Sequence, residues 1–135
     1  MKTIRFLIVE DHEFQRLMLE RALRAIGAET IHAVSSGALA IRLLRDPAFA
    51  VDIIITDLMM PDIDGIELVG LLVSSATRVP VVLVSADAHS LNAAVDIAQG
   101  SGIEVVGAIA KPITPDNLWA VLGPYLAGRE PAERP

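Results

Sequence analysis

Residues 51–65, VDIIITDLMMPDIDG, decide the fold. Ile53, Ile54 and Ile55 are consecutive β-branched residues that run into an acid at Asp57. Two turn signals follow, Met60-Pro61 and Asp64-Gly65, and a helical pattern starts after them. A short, continuously apolar run bounded by breakers is a strand buried on both faces, as in parallel sheets. Asp57 therefore ends a central strand, on the rim where open α/β sheets place ligands and chemistry. A buried carboxylate there needs partners, because an unpaired charge out of water is very costly.

Outward from this strand the same alternation repeats. Ile4 to Val9 is a first strand ending in adjacent acids, Glu10 and Asp11. A helix follows from about Glu13 to Ile26, with Phe14, Leu17, Met18, Ala22, Ala25 and Ile26 on its apolar face. Arg16, Glu20 and Arg24 form an outer ridge at spacing four, and Gly27 is a natural stop. Thr30 to Val34 is a second strand. Ser35 or Ser36 caps a second helix carrying Leu39, Ala40, Leu43 and Leu44, which closes before Asp46-Pro47. Beyond the opening stretch, Asp64 reads as an N-cap with Glu67 three residues on, starting a third helix to about Ser75. Val81 to Val84 is a fourth strand ending at Ser85, and a fourth helix spans roughly Ser90 to Gln99, stopping at Gly100-Ser101-Gly102. Val105 to Ala110 is the fifth strand, followed by Lys111-Pro112. Thr114-Pro115 caps and opens a fifth helix to about Leu126. Strands alternating with helices imply a parallel sheet wrapped on both faces by right-handed crossovers, an α/β fold.

Composition narrows the function. The 135 residues suit one domain with a real core. Hydrophobic content of 53% is high, yet no apolar run reaches the ~20 residues of a membrane span, so the excess belongs to buried strands. The start at Met1 has no secretory cleavage pattern, and the chain has no cysteine, which excludes disulfides and thiolate metal sites and fits a cytoplasmic protein. A net charge of −6 without a Lys/Arg cluster argues against direct nucleic-acid binding.

The strand ends hold the chemistry. Glu10 and Asp11, Asp57, Ser85 and Lys111 all fall on one edge of a parallel sheet. Two carboxylates ~4 Å apart repel by about 4 kcal/mol at an effective dielectric near 20, so three acids together need a cation. All-oxygen ligands select a hard ion, and Mg²⁺ suits few carboxylates completed by water and phosphate oxygens. A carboxylate can also accept a phosphoryl group covalently, given charge neutralisation by a metal ion, an ammonium and a hydroxyl donor. Taken singly, each residue has a plainer reading: a solvated strand end, a helix-capping acid, a turn serine, a surface lysine. His12, His32 and His89 have no ligand spacing and read as surface or rim residues. Trp119 reads as packing, and the Met59-Met60 pair as half rim and half core.

With those residues in order, the chain resembles the receiver domain of two-component response regulators from Arg5 to about Leu126. That gives a receiver domain over 1–126 and a polar tail over 127–135. The resemblance implies a flavodoxin-like (βα)5 fold with strand order 2-1-3-4-5. It implies that Asp57 accepts phosphate from a histidine kinase or a histidine phosphotransfer protein. Asp11, Asp57 and the Met59 carbonyl would bind Mg²⁺ directly, with Glu10 acting through water. Ser85 would bond a phosphoryl oxygen, Lys111 would pair with the phosphate, and Lys111-Pro112 would be cis. Chemistry would be limited to Mg²⁺-dependent self-phosphorylation and autodephosphorylation. A downstream protein or a second copy would bind the face made by the fourth helix, fifth strand and fifth helix. No membrane contact is implied.

The chain departs from the family pattern at three places. Ala108 stands where receivers carry a switch aromatic, so signalling is expected through a backbone or helix shift. Met59 and Asp87 occupy the positions that tune dephosphorylation, and an apolar Met59 predicts a long-lived phosphoryl group. No output domain follows, which fits a stand-alone receiver or a fragment. Its segment from Ser85 to Lys111 loosely resembles receivers ahead of cyclic-dinucleotide phosphodiesterase domains. Three other readings compete. One is a receiver-like interaction module that never uses phosphate. A haloacid-dehalogenase-like hydrolase wants a second acid where Met59 stands. A flavin or dinucleotide role lacks phosphate-cradling glycines at Glu10-Asp11-His12-Glu13.

Overall fold

Five strands form the sheet: β1 (Arg5–Val9), β2 (Thr30–Val34), β3 (Ile53–Asp57), β4 (Val81–Ser85) and β5 (Val105–Ala110). They pair in parallel in the order β2-β1-β3-β4-β5. The computed structural model describes residues 1–59, 67, 68, 70 and 79–128. Among these lie four complete helices, here α1 (Glu13–Ala25), α2 (Gly37–Leu44), α3 (Ala88–Gly100) and α4 (Pro115–Ala127). This is the parallel sheet expected from strand–helix alternation, in the flavodoxin-like strand order that the resemblance implied. Met60-Pro61, Asp64-Gly65, most of the expected third helix and residues 129–135 of the expected tail lie outside the described residues. Glu67, Leu68 and Gly70 are helical, and Leu68 is buried.

The alternation of side chains along each strand divides the core in two. Leu7, Val9, Ile54, Val81 and Leu83 point to one face, where Ala40 and Ile41 of α2 and Leu91, Ala94 and Ala98 of α3 cover them. Phe6, Ile8, Ile53, Ile55, Val82 and Val84 point to the other. Leu19, Ala22 and Leu23 of α1 and Leu118, Leu122 and Leu126 of α4 cover that face. Every residue of β3 and β4 is buried, as a strand covered on both faces must be.

Helix ends follow their local chemistry. Gly27 (φ 109°) and Gly102 (φ 85°) take the left-handed conformation just beyond α1 and α3. Each ends its helix with paired bonds, Gly27 N to Arg24 O with Ala28 N to Leu23 O, and Gly102 N to Gln99 O with Ile103 N to Ala98 O. Ser36, rather than Ser35, caps α2 by accepting from Leu39 N. Thr114 and Asn117 cap α4 reciprocally, with Pro115 opening the helix.

Three expectations need correction. The apolar face of α1 is rotated: Leu19, Ala22 and Leu23 are buried, whereas Phe14, Leu17 and Met18 are 63%, 43% and 40% exposed. In α2, Ile41 is buried and Leu39 is exposed. Trp119 is half exposed and lies across Gly123, one turn on in its own helix, rather than packing into the core. The cause is shared: these helices carry apolar residues on adjoining stripes. The packing of the helix on the sheet, which periodicity does not encode, selects the buried stripe.

A peripheral clamp ties the start of β1 to the approach to β3. Arg5 donates to Asp52 through its backbone N, Nε and Nη2 at 2.7, 2.9 and 3.0 Å. The Arg5 side-chain bond holds the Asp52 carboxyl below its ordinary range. A depressed folded value means the stabilisation is complete above about pH 4, the ordinary aspartate range, and fades as pH falls through the lower folded value. Exposed pairs are worth little. Asp52→Asn should therefore lower Tm by a few degrees at most at pH 7, with the difference closing in acid. A difference that widens on acidification would contradict this.

Candidate functional site

The carboxyl rim of the sheet is where the candidate residues meet. Three ladder bonds run one residue past the strands: Glu10 N to Val34 O, Leu58 N to Val84 O and Lys111 N to Ser85 O, at 3.1, 2.9 and 2.9 Å. They fix the backbone at the first, third and fifth strand tips. Glu10, Asp57 and Ser85 are buried there, at 2%, 5% and 0% exposure. One carboxylate oxygen from each of Glu10, Asp11 and Asp57 lies within 4.8 Å of the others.

Lys111 closes the cluster. Its Nζ donates to Asp57 Oδ2 and to Glu10 Oε1, both at 2.9 Å. Its third partner is Gln15 Oε1. Asp57 Oδ1 accepts from Met59 N at 3.1 Å, Thr56 Oγ1 donates to the Asp57 carbonyl, and Glu10 Oε2 accepts from His12 N. Burial pushes the Glu10 carboxyl above its ordinary range, against the pull of Lys111 and the His12 N–H. Burial also draws the Lys111 ammonium down, but its bonds to Glu10 and Asp57 outweigh this and leave it above its usual value.

Charge counting tests the fit of a metal ion. Three carboxylates and the Lys111 ammonium leave two negative charges uncancelled in a cluster whose Glu10 and Asp57 are buried. Repulsion between carboxylates 4.8 Å apart is about 3.5 kcal/mol at an effective dielectric near 20. A hard divalent cation balances that charge with the oxygen donors it prefers, so the residues present fit Mg²⁺.

The other candidates lie around this centre. Ser85 is at the tip of β4, and its hydroxyl accepts from Asp87 N at 3.1 Å. Asp87 caps α3, accepting from His89 N and Ser90 Oγ at 3.0 and 2.8 Å, which starts that helix at Ala88 instead of Ser90. Met59 is 64% exposed on the rim. Ala108 is exposed on β5, which pairs with β4 on one side only. The Lys111-Pro112 bond is cis. His12 caps α1 by accepting from Gln15 N through Nδ1.

Sequence reading missed Arg16, whose Nη1 donates to the Glu10 carbonyl at 3.0 Å. It also missed Gln15. Both sit in the first turns of α1, where helical side chains lean back toward the N-terminus and over the rim. Beside Asp57 opens a cavity of about 460 Å³. Phe14, Met18, Pro112 and Ile113 wall it, and Glu10, Gln15, Asp57 and Lys111 form its polar end.

Comparison with known proteins agrees with this geometry. The family model described as "Response regulator receiver domain" matches residues 6–123. The two-component response regulator ORR41 of Oryza sativa subsp. japonica is 31% identical over 92% of this chain and 95% of its own length. A response regulator from Colwellia psychrerythraea superposes with a TM-score of 0.76 at 28% identity, covering 93% of this chain and 98% of that one. The receiver domain of the sensor histidine kinase PA1611 from Pseudomonas aeruginosa PAO1 has a magnesium ion coordinated in its active-site cleft. It shares the fold at a TM-score of 0.70 and 23% identity, over 92% of this chain and 98% of that one. The rim of acids around a lysine, the sheet order and these matches together place the chain in the response regulator receiver domain family of two-component signalling.

Proposed function

We propose that Asp57 is the phosphoryl acceptor of a signalling switch, supplied by a phosphohistidine of a histidine kinase or histidine phosphotransfer protein in the cytoplasm. The observation that carries this reading is Lys111 Nζ at 2.9 Å from Asp57 Oδ2, within a cluster that also holds Glu10 and Asp11. An Asp57 oxygen attacks phosphorus, the P–N bond to the donor imidazole breaks, and its electron pair returns to the ring. Lys111, already bonded to that carboxylate, then neutralises phosphoryl charge, and the Ser85 hydroxyl supplies a donor. Asp11, Asp57 and the Met59 carbonyl would hold Mg²⁺, with Glu10 through water. When bound, the ion offsets negative charge on the transferring group. The cavity between Phe14, Met18 and Ile113 gives a donor side chain access to Asp57. Met59 offers no polar group to orient an attacking water, so the phosphoryl group should be long-lived.

Output would pass through α3, β5 and α4 to a downstream protein or a second copy. Ala108 has no ring to swing, so the link we infer runs from Ser85 through Asp87 N to the cap of α3. Ala108 also favours a second reading, an interaction module independent of phosphate.

Intact mass after incubation with Mg²⁺ and acetyl phosphate tests the first reading. A phosphate adduct is expected on the unaltered chain and not on Asp57→Ala. Absence of an adduct, or one that leaves the amide shifts of α3 unmoved, would favour the second.

A further inference from the structure

We propose that Gln15 is a positioning residue for this chemistry, holding Lys111 over Asp57 while the acids around it engage other partners. The inference rests on the phosphoryl-acceptor reading. Lys111 has three N–H donors and no acceptor, so the Gln15 amide must present its oxygen to it. All three donors are then matched, to Glu10 Oε1, Asp57 Oδ2 and Gln15 Oε1.

These acceptors differ in what happens to them next. Asp57 and Glu10 belong to the acid cluster whose oxygens a divalent cation would draw on, and Asp57 also becomes the acyl phosphate. Gln15 is neutral and outside that cluster. It remains an acceptor for Lys111 when the other two are redirected. The backbone supports the role: Gln15 N donates to the His12 ring, which fixes the first turn of α1 beside Asp11. The side chain then leans toward the rim and lines the polar end of the cavity.

Gln15→Met keeps the length and helix preference of the side chain without the amide oxygen, and Gln15→Glu keeps an acceptor. The readouts are the Lys111 ¹⁵Nζ resonance and the rate of adduct formation from acetyl phosphate at saturating Mg²⁺. Gln15→Met should broaden or shift the Lys111 signal and slow the adduct about three- to tenfold, the worth of one partly exposed hydrogen bond. Its Mg²⁺ dissociation constant should stay within roughly twofold, because no metal-binding oxygen is lost. Gln15→Glu should retain the Lys111 signal. Adduct formation at the unaltered rate in Gln15→Met, or slowing with the Lys111 resonance unmoved, would overturn the proposal. No adduct on the unaltered chain would instead remove the phosphoryl reading, while the resonance still decides the contact.

Discussion

Lys111→Met should lower stability by about 3 kcal/mol at pH 7 without divalent ions, or roughly 10 °C in Tm. Methionine preserves most of the buried stem, so the loss is electrostatic. Glu10 and Asp57 are 2% and 5% exposed and would share a cleft with Asp11 without the ammonium that now bonds both carboxylates. Removing one partner of a buried pair costs more than the pair contributes, because the remaining charge keeps its desolvation cost. Two consequences separate this from lost packing. Mg²⁺ should bind Lys111→Met more tightly than the unaltered chain, since the ammonium no longer competes, and should restore much of the stability by mass action. Acidification should also narrow the gap, because burial already raises Glu10 and its protonation removes one of the repelling charges. A loss indifferent to Mg²⁺ and pH would mean that Lys111 is only a packing residue.

Leu23→Ala should cost about 2–5 kcal/mol, whereas Leu17→Ala should stay within about 0.5 kcal/mol, as read from urea unfolding. Leu23 is 0% exposed against the sheet face that carries Phe6 and Ile8, and Leu17 is 43% exposed. Truncating Leu23 leaves a cavity, and truncating Leu17 uncovers little. Equal costs would restore the face that periodicity alone selects. The contrast shows what a sequence pattern leaves undetermined. Leu17 and Met18 form one apolar stripe, Leu19 and Leu23 the next, and only docking on β1 and β2 chooses between them.

The strands were far more legible. Ile53-Ile54-Ile55 and Val81-Val82-Leu83-Val84 have no polar face, which fits only a sheet covered on both sides, and every one of these residues is buried. That placed Glu10, Asp11, Asp57, Ser85 and Lys111 on one rim, because parallel strands put their carboxyl ends together. The glycine stops at Gly27 and Gly102 were legible for a related reason, since few other residues take positive φ. What escaped were contacts made by side chains reaching across elements. Gln15 to Lys111 spans 96 residues, and nothing in EFQRL marks the glutamine. Asp87 is a candidate for tuning dephosphorylation, and its carboxylate also caps α3, a role that its place three residues before the expected helix start concealed.

Locating the covalent bond decides whether Asp57 itself takes the phosphoryl group. The chain would be incubated with acetyl phosphate and Mg²⁺, reduced with borohydride, which converts an acyl phosphate to an alcohol, and mapped by peptide sequencing. Homoserine should appear at position 57 and at no other acid. A reduced residue at Asp11 or Glu10 instead, or none anywhere despite a phosphate adduct in the intact mass, would rule out Asp57 as the acceptor.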